Sequence, residues 1–526
     1  MKIYFSGIGG IGMSALAQIS WFKGFEVIGS DIKRSFIIDK LERLGIKVFI
    51  EQSAKNIDSS VDLFVYSSSI DEHNPELNRA KSLGIKVLHR SDYLQEIIKD
   101  HRVIAVTGSS GKTTTTSYIA FAFNKMGIKA NAIVGGWVKE WDSNVIYFNE
   151  SDLSVIEADE SDGSLLSYNP IISVINDLSV DLNINTPKFR DVPISKLKLA
   201  LYDIFKTYVG NIIDKGGKVI FSLDNSIVEF IRFLDLNRNF DKFYFFGSYQ
   251  DLETKRSFLD ELGKPYEVLF YKGLEYSLDN GSPYVRAKVF YGLKNDYKVV
   301  SDFLFDLNLS TIGDYNISNA LASTLVFKVY NECFNGFSGD MGGEKKDLLD
   351  FGNSLYGFLG PKRRFEILFN DMVKVGNSDF RVLVVDDYAH NPKKIYSLVS
   401  NLSLFYRDYY KVLIYQPHRY TRTLIFWDDL KYVFRDLDLL VVLPIYGSGE
   451  SPIIGISSEN LVKEINKENL NIKEILYIED YSDLEKVLLS KVEIFMDKIF
   501  VFVGAGSITN FANSFSNTLK QIFVKS

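Results

Sequence analysis

Three glycine-marked helix exits constrain the fold of this chain more than any other feature. They read Leu44-Gly45-Ile46-Lys47-Val48, Leu83-Gly84-Ile85-Lys86-Val87 and Met126-Gly127-Ile128-Lys129-Ala130, with the glycines 39 and 43 residues apart. A glycine just past a helix supplies the left-handed residue that ends it, and the apolar run behind it opens a strand. Exits repeated at this spacing are βα units of a parallel sheet rather than a solenoid. Each crossover must be right-handed, which predicts a doubly wound α/β architecture.

At 526 residues the chain outgrows a single hydrophobic core, and three α/β domains in series are expected. The fold class is α/β with an N-terminal Rossmann-like domain (1–99), a central P-loop ATPase-like sheet (100–354) and a C-terminal Rossmann-like domain (355–526). Apolar strands are predicted at Met1–Ser6, Glu26–Gly29, Val103–Thr107 and Leu153–Ile156, and in the third segment at Val382–Val385, Val412–Ile414, Leu439–Leu443 and Ile499–Val503. The stretch Asn335–Lys346, rich in glycine and charge, reads as a loop.

Composition narrows the function classes. Hydrophobic residues at 46% and charged residues at 24% describe a globular chain, not a disordered one. A single cysteine, Cys333, excludes an internal disulfide and fits a reducing cytosol. A formal charge of −7 argues against nucleic acid as a partner. Any anionic substrate must be drawn by local clusters such as Lys362-Arg363-Arg364 or His418, Arg419 and Arg422. The start of the chain faintly resembles a signal peptide, but Gly7, Gly9, Gly10 and Gly12 break its apolar segment. No apolar run reaches the roughly 18 residues of a membrane span, so a cytoplasmic protein is expected.

Gly7-Ile8-Gly9-Gly10-Ile11-Gly12 satisfies G-x-G-x-x-G directly after a strand, with a helix read from Ser14 and Asp31 closing the second strand. Glycines let backbone N–H groups approach a diphosphate at a helix N-terminus. This points to a diphosphate-bearing ligand, whether dinucleotide or another nucleotide. A second loop, Gly108-Ser109-Ser110-Gly111-Lys112-Thr113-Thr114, also lies between a strand and a helix. Its backbone can cradle phosphates, Lys112 can meet the terminal phosphates, and the Thr113 hydroxyl can ligate magnesium. Four acids in Glu157-Ala158-Asp159-Glu160-Ser161-Asp162, at a strand end, fit a magnesium site facing those phosphates. A dehydrogenase needs only the first loop and a simple ATPase only the second. One enzyme with both uses ATP to activate a group on a second, phosphate-bearing substrate.

Read together, these motifs resemble the Mur ligase family, and the similarity runs nearly the whole chain. It takes in Ser67-Ser68-Ser69, Asn74-Pro75-Glu76, Gly313-Asp314-Tyr315-Asn316 with Asn319-Ala320, Arg363-Arg364-Phe365 and Asp386 to Pro392. The stretches Gln416-Pro417-His418-Arg419-Tyr420-Thr421-Arg422-Thr423 and Ile445 to Ser458 resemble its alanine-adding branch more than the branch that recycles muramyl tripeptide. The resemblance implies ATP and Mg2+ as cofactors, and UDP-N-acetylmuramate and L-alanine as substrates. It implies no nucleic-acid partner, and the expected assembly is a monomer or weak homodimer. It places the UDP group on Gly9, Gly10, Ile11, Gly12, Asp31, Ser67 and Ser68. Gly108, Ser109, Ser110, Gly111, Lys112, Thr113 and Thr114 take the ATP phosphates, with Thr113 and Glu157 on the metal. Asn316 and Asn319 lie against adenine, and Arg364 and Asp387 reach ATP from the third domain. Tyr388, His418, Arg419 and Arg422 form the alanine site.

The chain departs from the family pattern in three places. Ser110 stands where this branch usually has histidine, and Ser507 where aspartate is common. No histidine occurs between His101 and His390, so the family's magnesium-binding histidine is missing. Either an oxygen ligand replaces it, with Asp181 the nearest candidate, or the chain is a weakened or non-catalytic relative.

Overall fold

The computed structural model describes residues 1–159, 164–179, 196–234, 240–295, 298–334 and 341–523. Its first sheet comprises β1 (Lys2–Ser6), β2 (Glu26–Ser30), β3 (Lys47–Phe49), β4 (Leu63–Tyr66) and β5 (Lys86–His89), in the order β3-β2-β1-β4-β5. Every pairing in it is parallel. Helices α1 (Ile11–Phe22), α2 (Phe36–Arg43) and α3 (Pro75–Ser82) make crossovers, and α4 (Arg90–Ile98) leads out of the sheet. The order reverses at β1, so the crevice beyond its carboxyl end is where an open α/β sheet receives a ligand.

The second sheet holds ten strands. They are β6 (Arg102–Thr107), β7 (Asn131–Val138), β8 (Ser143–Ile146), β9 (Leu153–Glu157), β10 (Ile172–Ile175), β11 (Lys218–Ser222), β12 (Phe243–Ser248), β13 (Tyr266–Asp279), β14 (Ser282–Asn295) and β15 (Lys298–Leu309). Their order is β15-β14-β13-β12-β11-β10-β6-β9-β7-β8. Around β6 the pairing is parallel, with β9 on one side and β10 on the other. Helix α5 (Lys112–Lys125) follows β6 and is buried along most of its length. One continuous apolar core serves the first sheet and the parallel part of the second, from Ile3 and Phe5 through Val103 to Phe245.

The third sheet orders as β16-β17-β21-β18-β19-β20, with β16 (Glu366–Val375), β17 (Ser378–Asp387), β18 (Tyr410–Tyr415), β19 (Leu437–Val442), β20 (Ile472–Tyr477) and β21 (Lys498–Val503). Only β16 runs antiparallel. By packing, the chain divides into two compact units. One comprises Met1–Leu274, Arg286–Leu309 and Tyr315–Pro361, and the other Glu275–Val285, Ser310–Asp314 and Lys362–Ser526.

The three helix exits are as expected: Gly45, Gly84 and Gly127 all have positive φ, and β3, β5 and β7 follow them. Two expectations need correction. Helix α1 begins at Ile11, not Ser14, because Gly10 serves as its N-cap and the helix starts inside the glycine loop. The part of the Asn335–Lys346 stretch that the structure describes, from Met341, is helical through Ser354. Three glycines, Gly342, Gly343 and Gly352, cost that helix up to about 1 kcal/mol each. Burial of Leu348 and Phe351, together with an ion pair from Lys328 to Glu344 at 3.1 Å, outweighs them.

Candidate active site

The first glycine loop is tied to its neighbouring strands. Gly7 has φ +80°, and the N–H groups of Gly7 and Ile8 both donate to Ser30 O, at 2.8 and 2.9 Å. Asp31 accepts from Gly9 N at 2.9 Å. Gly10 caps α1 without a side chain, so the first-turn N–H groups face outward as an anion seat. Ser67 borders Gly7, whose added Cβ would lie 2.9 Å from the Ser67 Oγ. Ser68 Oγ pairs with His89 Nε2 at 3.1 Å and accepts from Arg90 Nε at 3.3 Å. The structure thus gathers Gly9, Gly10, Ile11, Gly12, Asp31, Ser67 and Ser68 beyond the carboxyl ends of β1, β2 and β4.

Arg90, which the sequence reading missed, and Glu76, quoted there within a motif but given no role, support this end of the sheet. Arg90 brings a guanidinium within 3.2 Å of where a Gly12 Cβ would be, so a cation stands beside the anion seat. Glu76 is fully buried and accepts from Tyr4 OH, Ser6 Oγ, Ser30 Oγ and Asn56 Nδ2 at 2.6–2.9 Å, fastening the ends of β1 and β2. Burial, with the Glu76 charge, pushes the Tyr4 hydroxyl far above its ordinary pKa, so it remains a donor. The sequence signal for Glu76 was an acid in the first turn of a helix capped by Asn74 and opened by Pro75.

The second loop leaves β6 at Gly108 (φ +119°) and enters α5 after Gly111 (φ +79°). Both glycines are obligatory here. A Cβ on Gly108 would meet Asp177 O at 2.7 Å, and one on Gly111 would meet the side chains of Asn176 and Asn319 at 2.6 Å. Ser109 N donates to Asp177 O (3.1 Å) and Ser110 N to Asp177 Oδ1 (2.6 Å). Ser109 Oγ donates to Ser179 O. Thr114, the next loop residue, is nine-tenths buried in the first turn of α5. Asn319 Oδ1 accepts from Thr115 Oγ1 at 3.1 Å, and Asn319 Nδ2 faces Asn316 Oδ1 at 3.4 Å, so this asparagine pair lies against the start of α5. Asn176 and Asp177 were not chosen from the sequence, although they end β10, the strand next to β6.

Thr113 Oγ1 lies 3.0 and 3.2 Å from the two Glu157 carboxylate oxygens, and Gly135 N donates to Glu157 Oε2 at 2.8 Å. Lys112 Nζ is 4.0 Å from Asp159 Oδ1, with its side chain 15% exposed. A hydroxyl and a carboxylate at a strand end are the hard oxygen donors magnesium prefers, with phosphate oxygens and water completing its shell. The residues therefore fit that ion. Asp181, together with Glu160, Ser161 and Asp162 of the acidic run, lies outside the described residues.

In the second unit, Arg363 (φ +62°) and Phe365 (φ +47°) form a tight turn against β17. Asp387 holds that turn, accepting from Phe365 N and Ala389 N at 2.8 Å each. Burial raises its carboxyl pKa, and Arg364 opposes the rise. Both guanidinium groups cover the Tyr388 ring, Arg363 at 4.8 Å and Arg364 at 5.2 Å. Asp386 is pushed up to about 6 by burial, against the pull of Arg363.

His418 sits after β18, stacked on Tyr446 at 5.7 Å, and its Nδ1 lies 3.0 Å from Arg422 Nη1. Burial first, then Arg422 and Arg419, lowers its pKa to about 3, so the imidazole is neutral. Because an arginine can only donate, Nδ1 is the acceptor and the ring proton is assigned to Nε2. Arg419, at φ +67°, donates its N–H to Tyr446 O at 2.8 Å. The structure brings His418, Arg419 and Arg422 together as expected. Ser507 Oγ accepts from Gln416 Nε2 at 3.3 Å.

Such a site, with a G-x-x-G-K-T-T loop, a hydroxyl–carboxylate pair and a second anion seat on a parallel sheet, defines an α/β enzyme that uses a nucleoside triphosphate on a phosphate-bearing substrate. Residues 2–102 match the Mur ligase family, catalytic domain. The UDP-N-acetylmuramate–L-alanine ligase of Hydrogenobaculum sp. is 31% identical over 518 residues, covering 98% of each chain. That of Carboxydothermus hydrogenoformans is 32% identical over 97% of this chain and 94% of its own. The crystal structure of the Thermotoga maritima UDP-N-acetylmuramate-alanine ligase superposes over 99% of each chain, with TM-score 0.71 at 24% identity. The chain belongs to the Mur ligase family and is an ATP-dependent ligase of peptidoglycan synthesis. Among the described residues no helix is long and apolar enough to cross a membrane.

Proposed function

We propose that the chain joins L-alanine to the lactoyl carboxylate of UDP-N-acetylmuramate, with residues 1–99, 100–354 and 355–526 as its sugar-nucleotide, ATP and amino-acid domains. A carboxylate oxygen attacks the γ-phosphorus and ADP leaves, giving an acyl phosphate. The alanine amine then adds to the carbonyl, and the tetrahedral intermediate expels phosphate to leave the amide. The carrying observation is the Lys112–Thr113–Glu157 arrangement, in which the Thr113 hydroxyl lies 3.0 Å from the carboxylate.

Gly108 to Thr114 cradle the ATP phosphates, Lys112 meets the transferred phosphoryl group, and Asn316 and Asn319 face adenine. Arg364 and Asp387 serve the ATP side as well. Thr113 and Glu157 hold Mg2+, which neutralises charge on the phosphates when bound. The first-turn N–H groups at Gly9 to Gly12, with Asp31, Ser67 and Ser68, seat the UDP group.

Tyr388, Arg419 and Arg422 receive alanine, a guanidinium fork matching its carboxylate. His418, neutral and protonated on Nε2, acts as a hydrogen-bond donor rather than a base. Most of the rate then comes from positioning and from donors aimed at developing negative charge.

Incubation of the purified chain with ATP, Mg2+, UDP-N-acetylmuramate and a panel of alanine, glycine and serine tests the reading. Amide product and ADP should form together, with alanine preferred. One methylene is worth only about 1–3 kcal/mol, so glycine should still react. No amide at high enzyme concentration would defeat the proposal and leave a binding protein.

A further inference from the structure

One buried amide ties a β-hairpin of the first unit to the first glycine loop. Asn144, on β8, is fully buried. Its Nδ2 donates to Ile11 O at 2.5 Å and to Ser14 Oγ at 3.3 Å, both on the first turn of α1. Its Oδ1 accepts from Gln18 Nε2 at 2.8 Å, one turn further along. Next to it, Ser143 Oγ donates to Gln18 Oε1 at 2.8 Å. The side chain of a β8 residue thus fixes the register of the helix whose N-terminus is the diphosphate seat.

The other strand of the same hairpin reaches the phosphate loop. β7 pairs with β8 at Ile133↔Val145 and Val138↔Ser143, and the ladder is irregular in between. In that irregular stretch Gly135 N donates to Glu157 Oε2, and a Cβ on Gly136 would stand 3.0 Å from Thr113 Cγ2. From Ile11 the path runs through Asn144, across the hairpin to Gly135, and on to Glu157 and Thr113. Apolar packing alone could hold the hairpin on α1. A buried amide with its hydrogen bonds made sets a direction as well, and leaving it half-satisfied is costly.

We infer that Asn144 is a positioning residue that couples the two seats, so that filling the first with a UDP-sugar tightens nucleoside-triphosphate binding at the second. The identity of the ligands rests on the proposed function; the hydrogen bonds made by the two strands of the hairpin do not. Coupling between two sites ordinarily amounts to about fivefold or more in affinity.

The affinity of a non-hydrolysable ATP analogue with Mg2+ is measured by calorimetry, with and without UDP-N-acetylmuramate, on the full chain. The wild type should show a ratio of about five or more. Asn144→Ala should bring that ratio to within about twofold of one, while each ligand alone still binds within about threefold of wild type. A merely structural role would weaken both ligands and leave the ratio unchanged. If Asn144→Ala does not fold, Asn144→Leu keeps the side-chain shape while removing the bonds to Ile11, Ser14 and Gln18, and is read by the same criterion. A wild-type ratio near one, or an unchanged ratio in the variant, overturns the coupling. The ratio is read without turnover, so a wild type that makes no amide counts against the ligase reading and not against this one.

Discussion

At the scale of single residues, charge decides most of the outcomes. Lys112 is a compact cation at the start of α5, its side chain 15% exposed and its Nζ 4.0 Å from Asp159 Oδ1. Lys112→Ala should therefore abolish ADP formation while UDP-N-acetylmuramate binding, measured by calorimetry, stays within about threefold of wild type. Loss of both would indicate a folding defect instead. His418 carries a second residue-scale prediction. Its pKa of about 3 in the folded chain lies below the ordinary 6.5. As the pH drops below 6.5 the unfolded chain takes up this proton and the folded chain does not, so stability is lost progressively between about 6.5 and 3. His418→Asn should flatten the fall in urea midpoint between pH 7 and pH 4. Parallel falls in the two proteins would contradict the assignment. Asp386 works with the opposite sign, since burial raises it to about 6. It costs stability as the pH rises from 3.8 through 6, so the gain on Asp386→Asn should be larger at pH 7 than at pH 4.

At the scale of elements, the hairpin β7–β8 is the part whose consequence is least apparent from its composition. Gly135 approaches Glu157 so closely that an added Cβ would fall on the carboxylate. Gly135→Ala must displace Glu157 from Thr113, and a shift of about 1 Å at a catalytic group costs on the order of 100-fold. The expected result is a kcat lower by about that factor; an unaltered kcat would show that Glu157 has no part in turnover. The strand–loop–helix units were legible in the sequence because their glycines are forced by geometry: Gly45, Gly84, Gly108, Gly111 and Gly127 all sit at positive φ. The long strands β13 and β14 were not anticipated. Their signal was a period-two alternation through Leu274 to Asp279, followed by the Asn280-Gly281 turn, where both residues have positive φ. The helix Met341–Ser354 was hidden by its three glycines, which local propensity counts against a helix and tertiary burial overrides.

For the whole molecule, what could be read from sequence followed chain order, and what could not was brought together by folding. Lys112, Thr113 and Asp31 stand in motifs contiguous with the loops they serve. Asn144, Asp177, Glu76 and Arg90 act on loops far from them in sequence, and no local pattern signals which strand end will face which loop. The central claim is that a sugar-nucleotide carboxylate and the terminal phosphoryl group of ATP react directly to give an acyl phosphate. Isotope transfer tests it without relying on any variant. UDP-N-acetylmuramate labelled with 18O in its lactoyl carboxylate is turned over with ATP, Mg2+ and L-alanine, and the inorganic phosphate is examined by mass spectrometry. The account predicts that one 18O atom appears in each phosphate released. Unlabelled phosphate alongside amide product would contradict it, because the carboxylate oxygen would then never have bonded to phosphorus.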